Sequence, residues 1–422
     1  MVMHMNKIYL CIDLKTFYAS VECVERGLDP FKTDLIVADI SRNKGAICLA
    51  ISPKMKERGI RNRCRIWEIP KYIKPIIAKP RMKKYIEYSA KVYSVYLKYV
   101  SKDDIHPYSI DEMFLDITGY IKLYNMKPYD IAKMIIDDVY KTTGITATAG
   151  IGTNLYLTKV ALDILAKHTP DHIGILNEKL YKEKLWHHVP LTDFWQIGRG
   201  IESRLNKLHL KDMYDISHAD PKILYKEFGK TAEYLIDHSN GIEPTTIADI
   251  KRYKPKSNSL SNSQILFKDY GKDEAKIVLT EMIDNLLLQL ISQNLCTSNI
   301  GFIIGYSKDQ LSPINFSCKL DESTNNFKRI CNILLNEYDF RINDVIPIRR
   351  IGIWFGNVEK KKYHQLDLFT SEEDIEKDNR VEETMLLIKN KYGKNAILRG
   401  TSYLDGATQI MRNKLIGGHN AE

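Results

Sequence analysis

Apolar and polar positions along the chain fall into short runs separated by turns, and these predict an ordered series of elements. Ile8–Ile12 is an apolar run ending at Asp13, the pattern of a buried strand. Thr16 opens a helix that reaches Glu25 and is closed by Gly27. Leu35–Ala38 and Ala46–Ala50 read as short strands, and Ser52–Arg58 as a brief helix closed by Gly59. Tyr85, Tyr88, Val92, Tyr96 and Tyr99 recur at helical spacing and mark a long amphipathic helix over 82–100. His106–Ile117 reads as two strands with a tight bend near Ile110. A helix over Tyr129–Thr143, a strand over Thr146–Ile151 and a helix over Leu155–Lys167 follow. With 25–81 set aside as an insertion, the order is strand, helix, strand, strand, helix, strand, that of a ferredoxin-like split βαβ sheet.

Residues 171–246 carry helical patterning only, and 247–257, polar and basic with Pro255, read as a linker. Beyond it, strands at Ser259–Leu266, Ile300–Tyr306, Ile314–Lys319 and Ile348–Phe355 alternate with helices at Asp273–Leu295 and Thr324–Tyr338. The same six-element order therefore occurs twice, as a repeat of topology without aligned residues. Residues 357–383 are polar and mostly acidic, so self-repulsion is expected to keep them extended, and a small helical segment follows.

Composition narrows the class. With 422 residues, 44 % of them apolar, the chain has enough hydrophobic material for roughly two to four domains. No apolar run reaches the roughly 18 residues a bilayer span needs, and the start lacks the apolar core of a signal peptide, so a cytoplasmic, non-membrane protein is expected. Seven scattered cysteines, with no CxxC pair, exclude a zinc or disulfide scaffold. The net charge of +9 is concentrated. Lys54 to Lys84 carries twelve Lys/Arg against Glu57 and Glu68, and Lys251, Arg252, Lys254 and Lys256 stand against Asp249. Two basic segments fit a phosphate backbone.

Three acids stand where chemistry is expected. Asp13 ends the first strand, and Asp111 and Glu112 occupy the bend between the two central strands. In a split βαβ sheet those strands are neighbours, so the carboxylates converge and repel unless a cation lies among them. A lone acid of this kind is more often a strand-end cap. An Asp-Glu pair flanked by Tyr108, Ile110, Phe114 and Leu115 is a stronger signal.

Asp13-Leu14-Lys15-Thr16-Phe17-Tyr18-Ala19-Ser20-Val21-Glu22 resembles the opening motif of Y-family translesion DNA polymerases, and Ser109 to Asp116 resembles their second signature. The resemblance covers about residues 6–369 and is greatest to the UmuC-like subfamily, the UvrX-like group of low-GC Gram-positive bacteria. It implies an α+β right-hand polymerase: a ferredoxin-like βαββαβ palm (1–16 and 86–170), small fingers (17–85), a helical thumb with a helix-hairpin-helix (171–246), a linker (247–257), a second βαββαβ unit as little finger (258–356), and a tail (357–422). It further implies template-directed, low-fidelity nucleotidyl transfer in DNA repair and the SOS response. Asp13, Asp111, Glu112 and the Leu14 carbonyl would hold two Mg²⁺, for which Mn²⁺ can substitute. Phe17, Tyr18, Lys56 and Lys159 would contact the dNTP, with Tyr18 as the gate against a ribose 2′-hydroxyl. Pro53 stands where many relatives carry a phosphate-binding Tyr, so that contact is missing.

Gly198 and Gly200, in Ile197-Gly198-Arg199-Gly200-Ile201, resemble a hairpin turn that meets a DNA phosphate of the primer-template. Gln365, Leu366, Leu368 and Phe369 resemble the peptide by which bacterial proteins hold the sliding clamp. SOS accessory proteins are further partners of the family. Each feature also has a plainer reading: Tyr18 as a core aromatic, Lys159 as a solvated helix lysine, the glycines as an ordinary turn, and the peptide as a packed turn. The whole chain likewise has an alternative, a catalytically silent DNA- and clamp-binding regulator of the same fold. A nucleotidyl cyclase, whose palm is similar, has no use for the hairpin turn or the clamp peptide.

Overall fold

Every side chain from Tyr9 to Ile12 is buried, and this places the strand β1 (Tyr9–Leu14) at the centre of the first sheet. The computed structural model describes residues 7–42, 45–361 and 372–422. They divide into two compact units, Met1–Tyr253 with His419–Glu422, and Lys254–Gly418.

In the first unit β1 is followed by α1 (Phe17–Val24), then by a small module of β2 (Leu35–Val37), β3 (Ala50–Ile51), α2 (Pro53–Glu57) and β4 (Ile76–Ala78). The three short strands form their own sheet in the order β3-β2-β4, around a core of Ile36, Cys48, Ile51, Met55, Cys64 and Ile73. Ser52 caps α2 by accepting the Met55 N–H. The chain returns through α3 (Met82–Tyr96), β5 (Ile105–Pro107), β6 (Glu112–Asp116), α4 (Tyr120–Tyr124), α5 (Pro128–Thr143), β7 (Ala147–Gly152), α6 (Leu155–Val160) and β8 (Ile173–Leu176). The sheet order is β5-β6-β1-β7-β8. The first four strands have the ferredoxin-like arrangement that the element order predicts, and β8 is added parallel to β7. Residues 171–246 are therefore not wholly helical. Ile173, Gly174 and Leu176 are buried, and a four-residue strand is too short to register as a period in the sequence.

The remaining helices are α7 (Glu178–Leu185), α8 (Arg199–Lys207), α9 (Met213–His218), α10 (Pro221–Phe228), α11 (Thr231–Ser239) and α12 (Ile247–Arg252). Helices α7 to α11 share one core with α6. The last helix corrects the linker expectation for 247–257. Thr246 and Asp249 form a reciprocal capping box, and Ile247 is buried against Tyr9, Cys11, Phe114 and Leu155. Two apolar positions three residues apart were enough to dock a turn of helix that composition had marked as solvated.

The second unit runs β9 (Leu260–Tyr270), α13 (Lys272–Ser292), β10 (Leu295–Tyr306), β11 (Ile314–Thr324), α14 (Phe327–Arg341), β12 (Ile348–Gly356) and β13 (Glu359–Lys360). The element order repeats that of the first unit, but the spatial order does not. The antiparallel sheet is β11-β10-β12-β9, with β12 and β10 in the middle, whereas the first and third strands are central in the first unit. The acidic stretch departs further from expectation. Glu372–Tyr392 is a helix, α15, not an extended segment. Buried Glu382 pairs with Arg399, which also pairs with Asp284 of α13 and lies over the Phe327 ring. Glu281 of α13 accepts the backbone N–H groups of Thr408 and Gln409. Residues 372–418 are thus docked through buried polar contacts, which leave no hydrophobic period in the sequence to read.

Two glycines bring α6 against β7. A Cβ on Gly150 would lie 2.1 Å from the Thr158 carbonyl oxygen, and one on Gly152 would lie 2.4 Å from the Thr158 nitrogen. Neither atom can yield, because both belong to the helix backbone. Gly152→Ala is expected to destabilise the protein by about 1–3 kcal/mol. Gly200→Ala, where the added carbon meets nothing within 4 Å, should be neutral or slightly stabilising. Chemical denaturation of the two variants checks this, and equal midpoints would contradict the close approach.

Candidate active site

Strand alternation builds the site. In the β1–β6 ladder Asp13 is directly opposite Glu112 and Cys11 is opposite Phe114, so these four side chains share one face. Two carboxylates opposed across a ladder repel. The turn before β6 adds a third. Asp111 gives its carbonyl to the Leu14 N–H at 3.0 Å, which ties the turn to the end of β1, and its carboxylate accepts the Ser109 hydroxyl at 2.6 Å. The Glu112 carbonyl accepts both the Tyr108 and Ser109 N–H groups at 3.0 Å, which closes the bend predicted near Ile110.

The compensation comes from α6. Lys159 is buried, and its ammonium lies 2.9 Å from the Glu112 carboxylate and 3.0 Å from Asp163. Residues 161–165 form a π-helical turn that continues α6, and Asp163 lies within it. Burial works against the Lys159 charge, but Asp163 and Glu112 outweigh it and raise the pKa above the ordinary lysine value. The Cys11 thiol also donates to Glu112, at 3.1 Å. Burial, and then the Glu112 charge, push that thiol well above its usual range. Among the described residues the Asp13 carboxylate has no such partner. Burial, then Asp111 and Glu112, raise its pKa to about 7.

The remaining candidates are placed as follows. Leu14 ends β1 and pairs with Ala147 across the ladder. Phe17 is buried at the start of α1, with its ring edge toward Tyr85. Tyr18 is only half-buried. It stacks on Tyr85 with centroids 4.4 Å apart and planes 17° apart, and its pKa is raised by burial and then by the charge of Asp111. Tyr85 is held in turn by Glu22, which also takes a two-pronged pair of bonds from Arg81. Lys56 lies on α2. Burial of its ammonium lowers its pKa against the pull of Asp13, although the residue as a whole is exposed. Gly198 is the N-cap of α8 and Gly200 lies in its first turn, both facing open space. Gln365, Leu366, Leu368 and Phe369 lie outside the described residues.

Sequence reasoning missed Lys15, Cys11, Asp163 and Tyr85. Burial, and then the neighbouring Lys56, lower the Lys15 pKa to about 8, with Asp13 opposing. Two cations whose charge is disfavoured beside a carboxylate cluster form a place for an anion. Lys15 lies inside the opening motif and could have been found there. Tyr85 could not, because its position against Tyr18 is a tertiary contact across 67 residues of sequence. Among the described residues no three His, Cys, Asp or Glu side chains converge closely enough to hold a metal ion as they stand. The donors themselves suit a hard divalent cation, being carboxylates whose burial, and then whose mutual repulsion, favour a proton on Asp13 near neutrality. Glu112 would have to exchange its contact with Lys159 to join them.

Comparison with known proteins bears on the chain as a whole. The impB/mucB/samB family model matches residues 12–163, which include all three carboxylates, and the model of that family's C-terminal domain matches 257–368. The chain is 33 % identical to the UvrX protein of Bacillus subtilis (strain 168), whose name refers to UV-damage repair, over 99 % of this chain and 98 % of that protein. It is 28 % identical to DNA polymerase IV 2 of the same organism, over 98 % and 99 %. A solved Y-family DNA polymerase chimera of Dbh and Dpo4 superposes with a TM-score of 0.66 at 21 % identity, covering 84 % of this chain and all of that one, and shares the fold.

The raised pKa of Asp13 fixes a pH dependence. The native state holds this proton more tightly than the unfolded chain does, so metal-free protein loses stability as pH rises from about 4 to about 7. The loss is on the order of 4 kcal/mol and is complete above that window. Asp13→Asn removes it. In chelator, the variant should differ little from wild type near pH 4 and melt at a higher temperature at pH 8. Thermal denaturation at the two pH values checks this, and a variant no more stable than wild type at pH 8 would contradict the buried-carboxylate geometry.

Proposed function

This chain belongs to the Y family of DNA polymerases, the impB/mucB/samB group, and from that premise we propose that it is a low-fidelity polymerase that copies damaged templates by two-metal phosphoryl transfer. The observation that carries the reading is the direct opposition of Asp13 and Glu112 across the ladder, with Asp111 on the adjoining turn. Like charges so placed are destabilising unless the site serves a cation.

In this reading the three carboxylates and the Leu14 carbonyl would hold two Mg²⁺, which would supply charge neutralisation for the triphosphate and a lowered pKa for the primer 3′-hydroxyl. The chain's own groups do the positioning. Lys15 and Lys56 offer cations to the triphosphate, and an anion there relieves their mutual repulsion. Lys159 stays an ammonium throughout, first as the partner of Glu112 and Asp163 and then as a phosphate contact. Tyr18 lies under the sugar, and its stacking on Tyr85 gives the ring the rigidity a steric gate needs. Phe17 supports it from the core.

The domain reading follows the same premise. The first sheet is the palm and the small module around Met55 the fingers. The helices sharing a core with α6 form the thumb, in which the α8 N-terminus at Gly198 and Gly200 meets a backbone phosphate. The second sheet is the little finger. Gln365 to Phe369 is the sliding-clamp peptide of the reading, and the name of the UvrX relative supports a place in UV-damage repair. No helix among the described residues is long and apolar enough to cross a membrane.

Primer extension with Mg²⁺ on a templated primer tests the function. Asp111→Ala and Glu112→Ala should each abolish nucleotide addition while primer-template affinity changes less than about three-fold, since the loss falls on the reaction. Extension by either folded variant at the wild-type rate would overturn the assignment and favour a silent DNA-binding role. Tyr18→Ala should admit ribonucleotides while deoxynucleotide insertion survives. An unchanged ratio of the two in single-turnover measurements would make Tyr18 a core residue only.

A further inference from the structure

We propose that the outer face of residues 61–74, with Trp67 and Tyr72 as stacking platforms, binds the unpaired template strand that has not yet been copied. The proposal rests on the polymerase reading for the word template, and on the surface itself for single-stranded DNA.

This segment has two sides. Cys64, Ile66, Ile69 and Ile73 turn inward to the core of the small module, which fixes the ribbon in place. The intervening residues turn outward. Trp67 is 63 % exposed and Tyr72 80 %, and among the described residues neither ring meets another ring or a cation, nor does the indole N–H or the phenol find a hydrogen-bond partner. Arg61, Arg63, Lys71 and Lys74, in the same short segment, are exposed and form no ion pair among the described residues. The only acid between 61 and 74, Glu68, is occupied locally, accepting the Arg65 N–H at 3.1 Å. Arg65 in turn donates to the Gly45 carbonyl at 2.7 Å, which stiffens the base of the ribbon. By contrast, the flanking Lys54 and Arg58 do have carboxylate partners, Glu57 and Asp34.

Two bare aromatic rings and four uncompensated cations within fourteen residues call for a partner that is both polyanionic and flat-faced. Single-stranded DNA is that partner, because its phosphates meet the cations and its unpaired bases stack on the rings. A duplex hides its base faces and would leave Trp67 and Tyr72 without a contact. An apolar protein surface would leave the cations without one. In a polymerase the strand with unpaired bases is the template ahead of the primer end.

The test compares wild type, Trp67→Ala/Tyr72→Ala and Trp67→Phe, each as the full chain, on two primer-templates: one with a long 5′ template overhang and one with a single unpaired template base. The double variant should bind the long-overhang substrate at least about five-fold more weakly per ring lost, with Trp67→Phe close to wild type. Affinity for the short-overhang substrate, and single-nucleotide insertion on it, should be unchanged. Arg61→Gln/Arg63→Gln should flatten the salt dependence of long-overhang binding, by about 0.7 in the log–log slope per charge removed. Equal affinity of wild type and double variant for the long overhang would overturn the proposal, as would an equal loss on both substrates, which would mean a duplex contact. If wild type extends neither primer, the polymerase reading fails by itself. The overhang-dependent binding then still decides whether the surface takes single-stranded DNA.

Discussion

A buried ammonium on α6 holds together a face of the first sheet that its own carboxylates would push apart. Asp13 and Glu112 are opposed by the register of the two central strands, and Asp111 is tied to the same edge through its carbonyl. None of these positions can be changed without changing the sheet. Lys159 reaches the cluster only because α6 lies hard against β7, and it does so there because Gly150 and Gly152 carry no side chains. Strand register, helix approach and charge balance are therefore one constraint. The partial character of the balance matters as well. Lys159 answers Glu112 and Asp163, and Asp13 remains a carboxyl with a proton to exchange near neutrality.

The periphery of the site follows the same economy of fixed parts. Tyr18 is oriented by Tyr85, Tyr85 by Glu22, and Glu22 by Arg81, so a half-buried ring is positioned by a chain of contacts that ends in a surface arginine. Lys15, in the turn after β1, and Lys56, on α2, both interact with Asp13, and burial disfavours the charge of each, with Lys56 adding to the effect on Lys15. The acids thus stand on the sheet and its turn, and the cations come to them from three separate places in the chain, Lys15, Lys56 and Lys159.

Much of this was legible in the sequence where chemistry and period coincide. The run ending in Asp13, the Asp111-Glu112 bend and the helix after Gly152 are all local signals, and the ferredoxin-like order follows from their spacing. What could not be read depends on tertiary contact. Strand β8 is four residues long, and α12 docks through two isoleucines in a basic stretch. The acidic run at 372–383 enters a helix in which Arg399, distant in sequence and paired also with Asp284, takes up the buried Glu382. The second sheet shows the limit most clearly, since the same order of elements was wound into a different order of strands. Tyr85 was visible as a helix-face residue, but its role beside Tyr18 was not.

The absence of side chains at 150 and 152 has a consequence for how this protein can change. Every missense change from glycine adds at least a Cβ, so these positions have no conservative neighbour in the genetic code, while Asp13 and Glu112 can each exchange for a related acid or amide. A share of the site's mutational fragility therefore belongs to residues with no functional group. In a scan scored by activity alone, Gly150 and Gly152 would look like part of the reaction, and only the amount of folded protein would separate the spacers from the acids.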